Sequence, residues 1–416
     1  MTATSPRVLM IAACPFPTRQ GTQVYISQLA EQLQRSNRAE VELLTYGLGL
    51  GDLEEHDRTA VYPIHRGFAV PGHTSLAAGP AWGRPLADAL VLARGSQLIR
   101  TRKRQGRAFD LIHGHNYEGG LVGTVLARLH GLPLLYHAHN LMGDELETYF
   151  EASVARRTAR LVGQALDRIV PGLADGCVAV SQHTCRALSQ GPLGERLLSY
   201  HPPAVDYGPR CLKPDAGSQT DLVYLGNLDG YQAVEVMLGA LARLPQTTCT
   251  VVTPDPETRW KPLMQRFGLV SRVTVVPHGP FETVKPILEG ARVALLPRTV
   301  PSGFPIKLLN YLAAGRPVVA CRGGAQGLGR DQGVCVVEDG DEDAMARAIA
   351  QLLKDNALRA ELGERAREAA REFTWPTRVA HLAQTYATLL PKARFRRFET
   401  THQAGSQGRA PLLQRG

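Results

Sequence analysis

The residues of this chain that could do chemistry fall into three groups. The first is Pro301–Gly324 (PSGFPIKLLNYLAAGRPVVACRGG), where Gly303, Phe304 and Pro305 form a loop that opens a helix, with Arg298 and Lys307 on either side. A helix N-terminus offers free N–H groups and the positive end of its dipole, so at the carboxyl edge of a sheet it favours phosphate. Ile306, Leu309 and Leu312 give this helix an apolar face, and Gly315 suits its stop. The second group is Gly21, Thr22 and Gln23, which open the first helix and could present N–H groups to phosphate in the same way. The third is histidine: His113 and His115 in IHGHN, His137 and His139 in LLYHAHNL, and His278 in PHGP. Histidine pairs need carboxylates or thiols to complete most metal sites, and none adjoins these, so no metal is expected. His139 falls just past a strand, at an edge facing a cleft, whereas His137 is expected to face the other way. His278 follows a later strand, where a doubly wound site commonly holds a base.

The elements that must position these groups alternate regularly. Short Val/Leu/Ile runs are followed by longer amphipathic stretches, the pattern of a mostly parallel sheet covered by helices. Arg7–Ala13 predicts a buried strand, Cys14–Thr22 a loop and Gln23–Gln34 a helix; further strands are expected at Val41–Tyr46, Leu111–His113, Leu134–His137 and Gly176–Ser181. The prolines of His201–Asp206 interrupt the alternation. A second series then begins, with strands at Asp221–Leu225, Thr248–Thr253, Arg272–Val276, Val293–Leu296, Pro317–Ala320 and Val334–Val337. The fold class is α/β: two Rossmann-like doubly wound domains, 1–205 and 206–375, facing across a cleft, which the carboxyl ends of both sheets line. A helix over 376–391 is expected to cross back to the first domain, and 392–416 is a basic mobile tail.

Composition agrees with an enzyme-sized globular chain. Of 416 residues, 44% are hydrophobic and 20% charged, which excludes disordered and collagen-like classes. No apolar run approaches the roughly 18–20 residues of a membrane span, and no signal-peptide pattern opens the chain. Seven scattered cysteines without a Cys-x2-Cys pair point to a reducing cytoplasm. The net charge of +9 is uneven. Arg94–Arg107 and Lys392–Arg397 are basic clusters, and Arg100, Arg104 and Arg107 would share a helical face; Arg100, Lys103, Arg104 and Arg107 are therefore expected to meet an anionic membrane surface. Nucleic acid is not expected, because no aromatic motif interleaves the basic residues.

Four segments together resemble the retaining nucleotide-sugar glycosyltransferases of family 4, which have the two-domain GT-B fold. They are CPFPTRQGTQ, LLYHAHNL, VYLGNLDGYQ and LLPRTVPSGFPIKLLNYLAAGRPVV, and the likeness spans about residues 7–390. It implies a retaining transfer of a sugar from a nucleotide-diphosphate donor to a hydroxyl of a lipid-linked or glycan acceptor, with no tightly bound cofactor. The first domain would serve the acceptor and the second the nucleotide sugar, in a cytoplasmic enzyme lying peripherally on the inner face of the membrane. His139 matches a histidine placed near the transferred sugar. Donor binding is expected at Gly21, Gly226, Asn227, Gln232, His278, Arg298, Ser302, Gly303, Phe304, Pro305, Lys307, Leu308 and Asn310, with Thr22 and Gln23 on the acceptor side. The family's frequent Glu-x7-Glu is here Ser302 and Asn310, and its Arg-x4-Lys is Asn227 and Gln232. Neither amide can give a diphosphate a charge-assisted bond, so Arg298 and Lys307 are expected as substitutes. The alternative is a catalytically silent GT-B binding or scaffold subunit. A dinucleotide-binding dehydrogenase is excluded, because Cys14–Thr22 lacks Gly-x-Gly-x2-Gly.

Overall fold

The computed structural model of the chain describes residues 5–390 apart from 19, 77–78, 192, 194–196, 206–219 and 302. The expected tail, the Lys392–Arg397 cluster and Ser302 lie outside the described residues. The first sheet has seven parallel strands: β1 (Arg7–Ala12), β2 (Glu40–Thr45), β3 (Ile64–Arg66), β4 (Leu111–His115), β5 (Leu134–Ala138), β6 (Gly176–Ala179) and β7 (Leu197–Tyr200), in the order β3-β2-β1-β4-β5-β6-β7. The second has six: β8 (Thr220–Leu225), β9 (Cys249–Thr253), β10 (Val273–Pro277), β11 (Ala291–Leu296), β12 (Val318–Cys321) and β13 (Val334–Val337), in the order β10-β9-β8-β11-β12-β13. Both orders reverse direction once, at β1/β4 and at β8/β11, and such switch points open a crevice at the carboxyl edge.

Helices cover both faces of each sheet. Over the first lie α1 (Gly21–Arg35), α2 (Leu53–Thr59), α3 (Arg84–Arg104), α4 (Asn116–His130), α5 (Met142–Glu145), α6 (Ser153–Leu173) and α7 (Gln182–Ser189). The second series contributes α8 (Val234–Ala242), α9 (Glu257–Arg266), α10 (Phe281–Glu289), α11 (Ile306–Ala313), α12 (Arg322–Ala325), α13 (Glu342–Lys354) and α14 (Asn356–Ala370). The last helix, α15 (Trp375–Leu389), packs on α1 and sends Trp375, Val379, Leu382 and Tyr386 into the core beneath the first sheet.

Burial on both faces explains the continuous apolar strands. In β1, Leu9 and Ile11 enter one core while Val8, Met10 and Ala12 enter the other. In β8, Leu222 and Tyr224 part from Val223 and Leu225 in the same way. Helix starts are capped where the sequence provides a short oxygen: the Ser181 hydroxyl accepts from Thr184 N–H, and the Asp341 carboxylate from Ala344 N–H.

Three expectations need correction. The strands β3 and β7 carry no long apolar run and lie at sheet edges, which is why periodicity missed them. The basic run is helical only to Arg104; Arg107 lies beyond α3 in a turn, where its N–H donates to Arg102 O, and so shares no helical face with Arg100 and Arg104. His137 and His139 face the same way, not opposite ways, because a strand's side-chain period of two returns i+2 to the face of i.

Candidate active site

The loop of Gly303, Phe304 and Pro305 runs from the end of β11 into α11, at the carboxyl edge of the second sheet. Gly303 has φ +74°, and a Cβ there would stand 3.1 Å from the carbonyl oxygen of His139, so the loop closes directly on the first sheet's edge. Gly21, at the start of α1, faces the same helix: a Cβ there would meet Ile306 Cδ1 at 3.6 Å. Residues expected to act together from the two series are therefore neighbours.

Lys307, in the first turn of α11, donates from Nζ to Gln232 Oε1 at 2.8 Å and stands 4.7 Å from the centre of the Tyr224 ring. A Cβ at Gly226 would collide with this ammonium, so the glycine provides its space. Burial, then Arg298, pushes the Lys307 pKa down to about 7, with Asp229 pulling the other way. Arg298 donates from Nε to Val300 O at 2.9 Å and lies 5.0 Å over the Tyr231 ring. Asn227 is held by Asp229, its Nδ2 donating at 2.6 Å. Phe304 packs near Phe373, and Asn310 is half-buried on α11. Leu308 needs correction as a donor contact: its side chain is in the core and its N–H is bonded to Pro305 O at 2.8 Å. His278 lines, with Thr253, Asp255 and Pro277, a pocket at the ends of β9 and β10, and Asp255 there accepts from Leu228 N–H, next to Asn227, at 2.7 Å.

The histidines of β4, with His137 of β5 and His139 just past its end, form one buried stack. The rings of His137 and His139 lie 4.4 Å apart at 11°, and those of His113 and His137 5.2 Å apart at 10°. His139 Nε2 meets His115 Nδ1 at 3.0 Å, His113 Nε2 meets His137 Nδ1 at 3.1 Å, and the Tyr386 hydroxyl caps His113 Nδ1 at 2.8 Å. Tyr25 stands edge-on to His137 and His139. Burial depresses all four; His139 falls to about 3 and is a neutral imidazole at neutral pH. His113, His115 and His137 could each offer a nitrogen within 4.8 Å of the others. Hydrogen bonds already engage both nitrogens of His113 and the Nδ1 of His115 and of His137, while the Nε2 atoms of His115 and His137 are buried without a partner.

Beside the stack, Thr22 and Gln23 line a cavity of about 90 Å³ with Arg84, Asn116, Glu118 and Tyr149. Arg84 Nη1 donates to Glu118 Oε1 at 2.9 Å, and the Tyr149 hydroxyl to Glu145 Oε1 at 2.6 Å. Burial raises Glu118 to about 7 against the pull of Arg84. The buried oxygens Gln23 Oε1 and Asn116 Oδ1 have no hydrogen-bond partner. Asn116 has φ +58°, a costly conformation for a side-chain-bearing residue. Sequence reasoning missed Arg84, Asn116, Glu118 and Tyr149. The position of Asn116 and Glu118 just past an expected strand was the available signal; nothing local marked Arg84 or Tyr149.

Two family models match the chain: one described as a glycosyl transferase 4-like domain over residues 20–195, and one as glycosyl transferases group 1 over 219–355. The chain belongs to the group 1, 4-like glycosyltransferases. Its relatives include the D-inositol 3-phosphate glycosyltransferase of Corynebacterium jeikeium, 27% identical over 92% of this chain and 97% of that one, and that of Corynebacterium glutamicum, 24% identical over 75% and 80%. Among solved structures, sucrose-phosphate synthase from Thermosynechococcus elongatus superposes with a TM-score of 0.76 at 21% identity, covering 92% of this chain and 99% of the other. Anabaena HepE, solved with UDP-glucose, gives 0.68 at 19% identity over 92% and 100%. The fold of this glycosyltransferase is thus GT-B. Among the described residues no helix is long and apolar enough to cross a membrane.

Proposed function

We propose that this glycosyltransferase moves a sugar, with retention of anomeric configuration, from a nucleotide-diphosphate donor to a hydroxyl of a lipid-linked or glycan acceptor. The observation that carries the reading is the Lys307 ammonium, seated at Gln232 where the family's frequent Arg-x4-Lys is neutral. With Arg298 and the first N–H groups of α11 it makes a positive pole for a leaving diphosphate, the charge that develops as the glycosidic bond breaks. The UDP-glucose complex of the HepE structure supports a nucleotide-sugar donor.

In this reading the transferred sugar lies beside His139. Being neutral, that imidazole takes part in hydrogen bonding and adds no positive charge next to an oxocarbenium-like carbon. The acceptor enters through the cavity of Thr22, Gln23 and Asn116. Its unpartnered Gln23 and Asn116 oxygens, with the Glu118 carboxylate nearby, are hydrogen-bond acceptors that suit hydroxyl groups. As the acceptor oxygen bonds to the anomeric carbon, its proton passes to the departing phosphate oxygen, so no carboxylate pair of the hydrolase type is needed. Six free cysteines among the described residues fit a cytoplasmic setting.

A thermal-shift screen with UDP-, GDP-, ADP- and dTDP-sugars tests the donor, since a ligand of the folded state raises its melting temperature. At least one should do so and support transfer. A chain indifferent to all four would overturn the donor assignment, and a product of inverted anomeric configuration would overturn retention.

A further inference from the structure

Helices α3, α4 and α6 lie side by side over one face of the first sheet, α3 against α4 and α4 against α6. Each carries a single carboxylate, and each holds it inward. Asp88 accepts from the Tyr46 hydroxyl at 2.6 Å, Glu118 from Arg84 at 2.9 Å, and Asp167 from the N–H groups of Met142 and Gly143 at 2.8 Å. The outward surface of the three helices is therefore purely cationic. On α6 it exposes Arg156, Arg157, Arg160 and Arg168; α4 adds Arg128, and α3 adds Arg100, Lys103 and Arg104. The nearest exposed acid on the chain leading into α6, Glu151, precedes the helix.

Large apolar side chains stand among these cations. Leu121, Val125 and Leu129 recur every four residues along the outside of α4, Leu129 being 65% exposed. Val154, Leu161 and Ile169 do so every seven or eight residues along α6, at 77%, 59% and 54%. The cause is local: α6 packs inward through Ala159 and Gly163, and a Cβ on Gly163 would strike the Met142 carbonyl, so its larger residues are left outside. By contrast, only Val270 and Val336 are exposed large hydrophobics among the described residues of the second series.

We infer that the outer face of α4 and α6, flanked by the end of α3, docks on an anionic bilayer surface. An apolar stripe rimmed by arginine suits a helix lying in the headgroup region, with the stripe in the acyl boundary and the cations on lipid phosphates. A second copy of this chain is the poorer occupant, because a two-fold contact would press two carboxylate-free cationic faces together. The first turns of α3 and α4 line the acceptor cavity through Arg84, Asn116 and Glu118, so docking would bring its mouth toward a lipid-borne acceptor. The surface itself does not depend on the donor reading.

The test is co-sedimentation of the full chain with vesicles of about 30% phosphatidylglycerol in phosphatidylcholine, against phosphatidylcholine alone. Only the anionic vesicles should bind, and raising NaCl from about 0.05 to about 0.5 M should release the chain. Converting Arg156, Arg157, Arg160 and Arg168 together to Gln should weaken binding by two to three orders of magnitude, about fivefold per charge near the surface. The triple change Val154→Ser, Leu161→Ser, Ile169→Ser should weaken it at least about tenfold. All seven sites are exposed, so an unchanged thermal melt should confirm that both variants fold. Equal binding to neutral vesicles, or full binding by both variants, would overturn the inference. So would a dimer in sedimentation velocity that the serine changes abolish while anionic vesicles fail to bind. Donor-induced thermal shifts, read without vesicles, separate this failure from failure of the proposed activity.

Discussion

Raising the pH through the neutral range should weaken donor binding by titrating Lys307. Its pKa, about 7, reflects an ammonium seated between the Tyr224 ring and Gln232 with Arg298 beside it. At pH 8 such a group is only about one-tenth protonated, while the diphosphate needs it charged. Binding should then take up about 0.9 proton per site at that pH, and Kd should rise about tenfold per unit above pH 7. Calorimetry with UDP-glucose, repeated in buffers of different ionisation enthalpy, measures both quantities, and the sugar diphosphate does not itself titrate in this window. Lys307→Met should bind about 10–150-fold more weakly near pH 7, equivalent to about 1.5–3 kcal/mol, and lose the proton uptake. The same shift has a stability consequence of definite sign. The folded pKa lies below the ordinary lysine value of 10.5, so the unfolded chain holds more protons between about 7 and 10.5, and this group's contribution to stability improves as pH rises across that window. Lys307→Met should therefore raise the melting temperature more at pH 6 than at pH 9. A wild-type Kd that stays flat from about pH 7 to 9, with no proton uptake, would refute the placement of this ammonium against the diphosphate.

His139→Ala should lower turnover while leaving affinity for the free nucleoside diphosphate within about twofold; loss of diphosphate affinity with turnover intact would reverse the assignment. Gly303→Ala forces a side chain into positive φ and against the His139 carbonyl, so it should cost roughly 1–3 kcal/mol in stability or cleft closure, read as a lower melting temperature or a reduced transfer rate. Glu118→Leu strands the Arg84 guanidinium and should destabilise by about 3–5 kcal/mol, whereas the double change Arg84→Met, Glu118→Leu should recover part of that loss in denaturant unfolding. A double variant no more stable than the single one would show that the pair is uncoupled.

How far the sequence spoke depended on the range over which each signal acts. The apolar runs of β1 and β8 are legible because both faces of a covered parallel strand are apolar, and a local window contains the whole pattern. The Gly303 loop is legible for the same reason, since its turn, helix start and flanking cations fall within ten residues, from Arg298 to Lys307. What a window cannot hold is the partner. Gln232 accepts from Lys307 across 75 residues, and Arg84 reaches Glu118 across 34. The basic run on α3 illustrates the cost. Read alone it placed Arg107 on a helical face, but the chain turns before that residue, and Arg102, within the same run, turns inward to Glu42 at 2.9 Å. The cationic surface extends also to α4 and α6, where Arg156, Arg157 and Arg160 fall within five residues but nothing local says which face they share with α3. It arises because three helices each spend their single acid on an interior bond, and that property belongs to the packed layer and not to any one segment. The same logic applies at the donor loop. A lysine at 232 would set a second ammonium against Lys307, at the 2.8 Å position where the amide oxygen now accepts, so a neutral residue there is the complement of the cation that α11 supplies.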